Sequence, residues 1–327
     1  MHHERTNTGA LRIMKVWNLT ALLSRIRNAR RQVRCKMQKY VSTNFTIVTA
    51  YWNLGTFRKG KSLTYSKTLY MKWAASFQYM LNPLVVYTDS TEFRDLMQAY
   101  RNDLLCNTKI IYMNRTDIYA FRKIDEIKSV YKQPGYPKYY PNTVSPEYTA
   151  AQHAKFTVVA DTYKRKLFTT RYYAWIDVGY FRDIANIQDY YVMVVPPDMD
   201  PKRLAYNFAK QHVRTADPIT VFRNNLVWVG GGMFIGLGEV IDRFERFYQK
   251  AVDYFMNSKV MNSDQQVLYS IYTHKGRKAL NPPVELQLYV PKLPHNSWFY
   301  LGFLCRKVIK GLHPVKIQTL CITASGN

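Results

Sequence analysis

Acidic residues are scarce in this chain: 22 Asp and Glu stand against 47 Lys and Arg, a formal charge of +25 over 327 residues. An excess of that size favours anionic partners such as phosphates, nucleic acid, acidic glycans or membrane surfaces, and it speaks to partners rather than to fold. Cysteine is scarcer still. Cys35, Cys106, Cys305 and Cys321 lie too far apart for the paired spacing of a zinc site, and four in a chain of this length do not make a disulfide framework. Long apolar runs are missing too. The apolar stretches near the start are interrupted by Arg12, Lys15, Arg25 and Arg27, so neither a membrane span nor a signal peptide is visible, which favours a cytoplasmic or membrane-peripheral location over a lumenal one. Glycosylation sequons at Asn18, Asn44 and Asn114 pull the other way, although Asn44 opens a segment that reads as a buried strand. There is no internal repeat, no low-complexity tract and no RRM, KH or zinc-finger signature.

What is present is enough apolar material for a sizeable core, with 47% of residues hydrophobic and 15% aromatic. Residues 1–40 form a basic extension holding ten Lys and Arg against Glu4 alone. Within it, Leu11, Met14, Trp17, Leu22, Leu23 and Ile26 recur among basic residues, a pattern for a helix from Leu11 to Val33 that either contacts a membrane surface or is simply solvated. Residues 41–327 change pattern. Phe45 to Ala50, Leu84 to Thr88, Ile110 to Met113, Tyr172 to Ile176, Tyr191 to Val195 and Leu226 to Val229 are strand-like apolar runs. Ser62 to Tyr79, Thr91 to Tyr100, Pro146 to Lys166 and Glu239 to Met256 lack internal breakers and predict helices. Alternation of this kind implies an α/β domain with a mixed, mostly parallel sheet flanked by helices. The Tyr- and Pro-rich stretch from Tyr131 to Pro146 predicts a long surface loop, of a length that is often functional.

In an open α/β sheet ligands bind beyond the carboxyl ends of the strands, so the residues that follow each apolar run are the informative ones. Thr49, Ala50 and Tyr51, followed by Trp52 and Asn53, make a polar and aromatic mouth suited to stacking a base. Asp89 can accept hydrogen bonds from a ribose, or share in capping with Ser90 ahead of the next helix. Asp177 follows the apolar Trp175 and Ile176 directly, and Gly179 two residues later lets backbone approach a ligand closely. A carboxylate there needs a cation, either Mn²⁺ or Mg²⁺ held jointly with substrate phosphates or a basic side chain such as Arg182. Gly230, Gly231 and Gly232 read as a turn before a strand and as a glycine floor beneath a sugar ring. Gly236 and Gly238 do not complete a dinucleotide fingerprint. Lys155, on the helix before the Asp177 strand, is one of several basic residues able to contact phosphate. Asp264 and Gln265 open a helix, where Asp264 also suits the helix dipole.

The order of these parts, with the Tyr173 to Arg182 segment, the glycines at Gly230 to Gly232 and the run Ser263, Asp264, Gln265, Gln266, resembles the HtrL/YibB family and GT-A type glycosyltransferases over about Phe45 to Phe303. The resemblance implies a GT-A-like domain that transfers a sugar from a nucleotide-diphospho-sugar donor to a glycan or other hydroxyl acceptor. It implies that Asp264 and Gln265 face the donor sugar or the acceptor, with Asp264 as base if configuration inverts, and that His295 joins Asp177 as a metal or phosphate ligand. The usual Asp-x-Asp metal motif is broken by Gly179, so only Asp177 carries over. A catalytically inactive protein of the same fold and a basic nucleic-acid-binding protein are the alternatives.

Overall fold

The computed structural model describes residues 44–60, 62–291 and 296–310; the basic extension 1–40, its expected helix and His295 lie outside them. Seven strands form the central sheet: β1 (Phe45–Tyr51), β2 (Leu84–Thr88), β3 (Thr108–Tyr112), β4 (Tyr172–Ile176), β5 (Leu204–Phe208), β6 (Val229–Leu237) and β7 (Leu286–Tyr289). They lie in the order β3-β2-β1-β4-β6-β5-β7. Strand β6 runs antiparallel to β4 and β5, and the other neighbours are parallel. This is the mixed, mostly parallel α/β sheet that the alternation of runs implied.

Parallel strands are covered on both faces, which is why their apolar runs are nearly continuous. Ile47, Leu84, Val86, Ala174 and Ile176 point to one face, under α1 (Lys67–Ala74) and α2 (Thr91–Tyr100). Val48, Val85, Tyr87, Tyr173 and Trp175 point to the other, under α4 (Pro146–Lys164) and α5 (Gly238–Asn257), with α3 (Ile124–Tyr131) and α6 (Asp264–Ile271) alongside. Helix starts follow their chemistry. Ser90 and Ser145 cap α2 and α4 by accepting from the backbone N–H of Phe93 and Tyr148, and Pro146 occupies the first turn of α4, where a missing N–H costs nothing.

Several expectations shift. The first expected helix is shorter, because Leu63–Tyr65 pairs with Phe57–Lys59 as a two-stranded hairpin before α1 begins. Tyr191–Met193 pairs with Arg306–Val308 and stays out of the central sheet. The strand expected at Leu226 begins at Val229, and Gly230 to Gly232 lie inside β6 instead of forming a turn ahead of it. The 131–146 stretch is irregular but not merely superficial, since Tyr136 and Thr143 are buried. The chain runs from β1 outward to β2 and β3, then returns to place β4 on the opposite side of β1. That reversal opens a crevice at the carboxyl ends of β1 and β4.

Candidate functional site

A cavity of about 540 Å³ occupies this crevice. Tyr51 and Trp52 reach it from the end of β1, Trp175 and Asp177 from the end of β4, and Gly231 and Gly232 from the start of β6. Over these lie the Phe57–Tyr65 hairpin, Tyr70 and Trp73 of α1, Tyr140 to Asn142 of the Tyr- and Pro-rich stretch, and Trp298 with Phe299. The hairpin is fastened to that stretch. The Gly60 N–H donates to the Tyr140 carbonyl at 2.9 Å, and the Arg58 guanidinium lies 4.2 Å above the Tyr140 ring.

Asp177 is the one carboxylate on the cavity wall among the described residues. Its backbone N–H donates to the Gly232 carbonyl at 2.9 Å, which fixes the turn after β4. Trp175 Nε1 donates to its Oδ1 at 2.6 Å, and Lys155 Nζ stands 3.3 Å from the same oxygen. Lys155 also donates to the Gly231 carbonyl at 2.8 Å and to Asp264 Oδ2 at 3.2 Å. Its side chain is 2% exposed, that of Asp264 5% and that of Asp177 40%, so the ammonium bridges one enclosed carboxylate and one that opens to the cavity. Burial alone would lower the Lys155 pKa; the charges of Asp177 and Asp264 outweigh it, and the amine is held above its ordinary value, protonated. Burial pushes the Asp264 carboxyl above the usual range, with Lys155 pulling against it and the Asp177 charge adding to it.

Close packing dictates the glycines around these groups. A Cβ at Gly231 would stand 2.8 Å from Asp264 Oδ2, one at Gly232 2.9 Å from the Tyr180 ring, and one at Gly179 2.7 Å from the Trp73 ring. Glycine is therefore required at these three positions because neighbouring side chains fill the space a β-carbon would need.

The expected site residues separate in this geometry. Asp177, Gly179, Gly231, Gly232, Lys155, Ala50, Tyr51 and Gln265 come together around the cavity. Lys155, one of several basic residues that the sequence offers for phosphate, is held by two carboxylates and a carbonyl, and Asp177 takes this lysine as its cation instead of Arg182. Asp264 stands behind Gly231, 3% exposed, and does not line the cavity. Tyr51 is occupied by a stacking contact with Phe93 at 4.5 Å. Thr49 is fully buried, its hydroxyl without a partner, away from the cavity. Ser90 is the cap, whereas Asp89 accepts from the Asn53 N–H at 2.8 Å and pairs with Arg115 at 3.4 Å, shaping the loop after β1. Residues that the sequence reading passed over are Lys59, Tyr70, Trp73, Tyr148 and Trp298. The alternating Phe57-Arg58-Lys59 and Leu63-Thr64-Tyr65 around Gly60 were the available signal for the hairpin that carries Lys59.

Among the described residues no group of three His, Cys, Asp or Glu side chains converges, so from these residues the cavity would offer Mn²⁺ or Mg²⁺ one side-chain carboxylate, with the other oxygens left to substrate phosphates. Only Asp177 faces the cavity, and an ammonium already holds its Oδ1 and the Asp264 carboxylate.

Residues 43–278 match the family described as a bacterial protein of unknown function, HtrL_YibB. The chain belongs to the HtrL/YibB family. The match ends short of the segment that brings Trp298 and Phe299 to the cavity. No curated protein matches this HtrL/YibB chain. Among solved structures it is similar to mouse xyloside xylosyltransferase 1 in its apo form, at 8% identity and a TM-score of 0.37, over 75% of this chain and 84% of that one. Among the described residues, no helix is long and apolar enough to cross a membrane.

Proposed function

We propose that this protein is a glycosyltransferase, taking a sugar from a nucleotide-diphospho-sugar donor and passing it to a hydroxyl of a glycan acceptor. The observation that carries the reading is a single anchored carboxylate, Asp177, set at the switch point of the sheet in a cavity walled by aromatic rings. Tyr70, Trp73, Tyr148 and Trp298 offer faces for a base and for sugar rings, while Asn142, Gln152, Asn225 and Gln265 offer polar edges.

Such a reaction asks for positioning and charge balance more than covalent chemistry. The donor's anomeric C–O bond breaks, its electron pair leaves with the diphosphate, and the acceptor oxygen forms the new bond and gives up its proton. A base must reach that hydroxyl. Asp177 opens to the cavity and is placed for the task in an inverting reaction; in a retaining one it orients the sugar. Asp264 acts through Lys155 as a positioning residue, holding the ammonium against Asp177. Gln265 is fixed by donating from Nε2 to the Val229 carbonyl at 2.6 Å, which leaves its oxygen free to accept from a ligand hydroxyl.

Calorimetry and transfer assays across a panel of sugar nucleotides are the test. Asp177→Asn should weaken donor binding or turnover at least about tenfold, a loss of about 1.4 kcal/mol, in a variant that still folds because Asp264 continues to balance Lys155. Uniform absence of donor binding alongside tight, salt-sensitive RNA binding would replace this reading with the nucleic-acid one.

A further inference from the structure

The cavity wall holds three cations, Lys59, Lys155 and Arg182, against Asp177. Lys155 is balanced by Asp177 and Asp264, as its two ion pairs show. The other two have no such balance. Among the described residues, no carboxylate lies within ion-pair distance of Lys59 or Arg182. Lys59 comes from the hairpin, its ammonium 4.9 Å above the Tyr65 ring. Arg182 follows β4, donates to the Gly179 carbonyl at 3.2 Å, and lies against two rings, 4.6 Å from the centre of Phe299 and 5.8 Å from that of Trp73. Ring faces steady a cation without neutralising it. Two cations held on the wall of one cavity, neither in ion-pair contact with a described carboxylate, are half of a charge pair whose other half is the ligand.

We propose that Lys59 and Arg182 together hold the anionic end of the ligand and balance its charge without a divalent metal ion. For the nucleotide-diphospho-sugar reading, on which this assignment of the anion rests, that end is the diphosphate. A metal ion approaching Asp177 would meet these cations as like charges, whereas a diphosphate meets opposite ones. Burial, reinforced by Lys155 and Arg182 against the pull of Asp177 and, more weakly, Asp264, holds the Lys59 amine below its ordinary pKa, a position that an arriving anion relieves. When the anomeric bond breaks, the electron pair that leaves with the diphosphate is received where two fixed positive charges already stand.

Calorimetric titration of the full chain with inorganic pyrophosphate, in EDTA and in Mn²⁺, tests the proposal. Binding should persist unchanged in EDTA, fall at least about tenfold in Lys59→Ala and in Arg182→Ala, and recover most of its strength in Arg182→Lys. Lys128→Ala, an exposed cation on α3, should bind as the parent does, and melting temperatures confirm that each variant is folded. Pyrophosphate binding that requires Mn²⁺, binding indifferent to both substitutions, or no binding at all would overturn the inference. The outcome also separates the two readings. Transfer from a sugar nucleotide that needs Mn²⁺ and survives both substitutions keeps the transferase and removes this anion pair. Metal-free pyrophosphate binding with no affinity for any sugar nucleotide keeps the pair and removes the transferase.

Discussion

Lys155 shows how one side chain can serve both stability and site geometry. It is buried between two carboxylates, and removing one member of such a set leaves charge enclosed without compensation. Lys155→Met should therefore cost about 3 kcal/mol in urea unfolding, and adding Asp264→Asn should return part of it. A neutral result for the single substitution would mean that the ammonium compensates nothing. At this scale the sequence was legible in part. Asp177 stood out because a carboxylate directly after an apolar strand is costly without a cation. Its actual partner was not legible, because Lys155 lies 22 positions earlier in sequence, on a helix turn that comes against β4 only once the sheet has formed. For the same reason Asp264 reads in the sequence as a helix start facing the donor sugar or the acceptor, although Gly231 and Lys155 enclose it.

The secondary elements divide along a similar line. Strands β1, β2 and β4 were readable because burial on both faces demands nearly continuous apolar runs. Strand β5, with Asn207 within it, and the four-residue β7 gave no comparable run, and the glycines of β6 imitated a turn because the requirement for them comes from Tyr180, Asp264 and Gln265 on other elements. Helix α4 illustrates a further dependence on partners. His153 on its buried side is 2.7 Å from the Tyr248 hydroxyl of α5 and 3.2 Å from Met261 Sδ. Burial, with Lys155 adding to it against the pull of the Asn262 backbone carbonyl, which accepts from the ring, pushes its pKa down to about 3. Because the folded value lies below the ordinary one of about 6.5, the unfolded chain takes up the proton first as pH falls. The stability from the neutral imidazole is complete above that value and drains away between it and the folded pKa. Unfolding free energy should drop by about 2 kcal/mol between pH 7 and pH 5, and His153→Gln should flatten that slope in urea titrations at the two pH values.

At the scale of the whole molecule, the strong positive charge read from composition resolves into a local statement. The cavity at the switch point gathers cations that its own acids do not balance, so the overall excess has a counterpart at the proposed site. Composition could give the sign of the partner but not the place, because Lys59 and Arg182 are more than 100 positions apart and meet only around the fold. The same convergence has an optical consequence. Four of the six tryptophans of the chain, Trp52, Trp73, Trp175 and Trp298, border this one cavity, and Trp298 is the most open of them at 36% exposed. Indole emission responds to the polarity of its surroundings, so filling the cavity should move the intrinsic fluorescence of the protein to shorter wavelength, with Trp298→Phe removing most of the shift. The molecule thus carries its own dye for watching a ligand arrive, and an unlabelled compound library could be screened by emission alone.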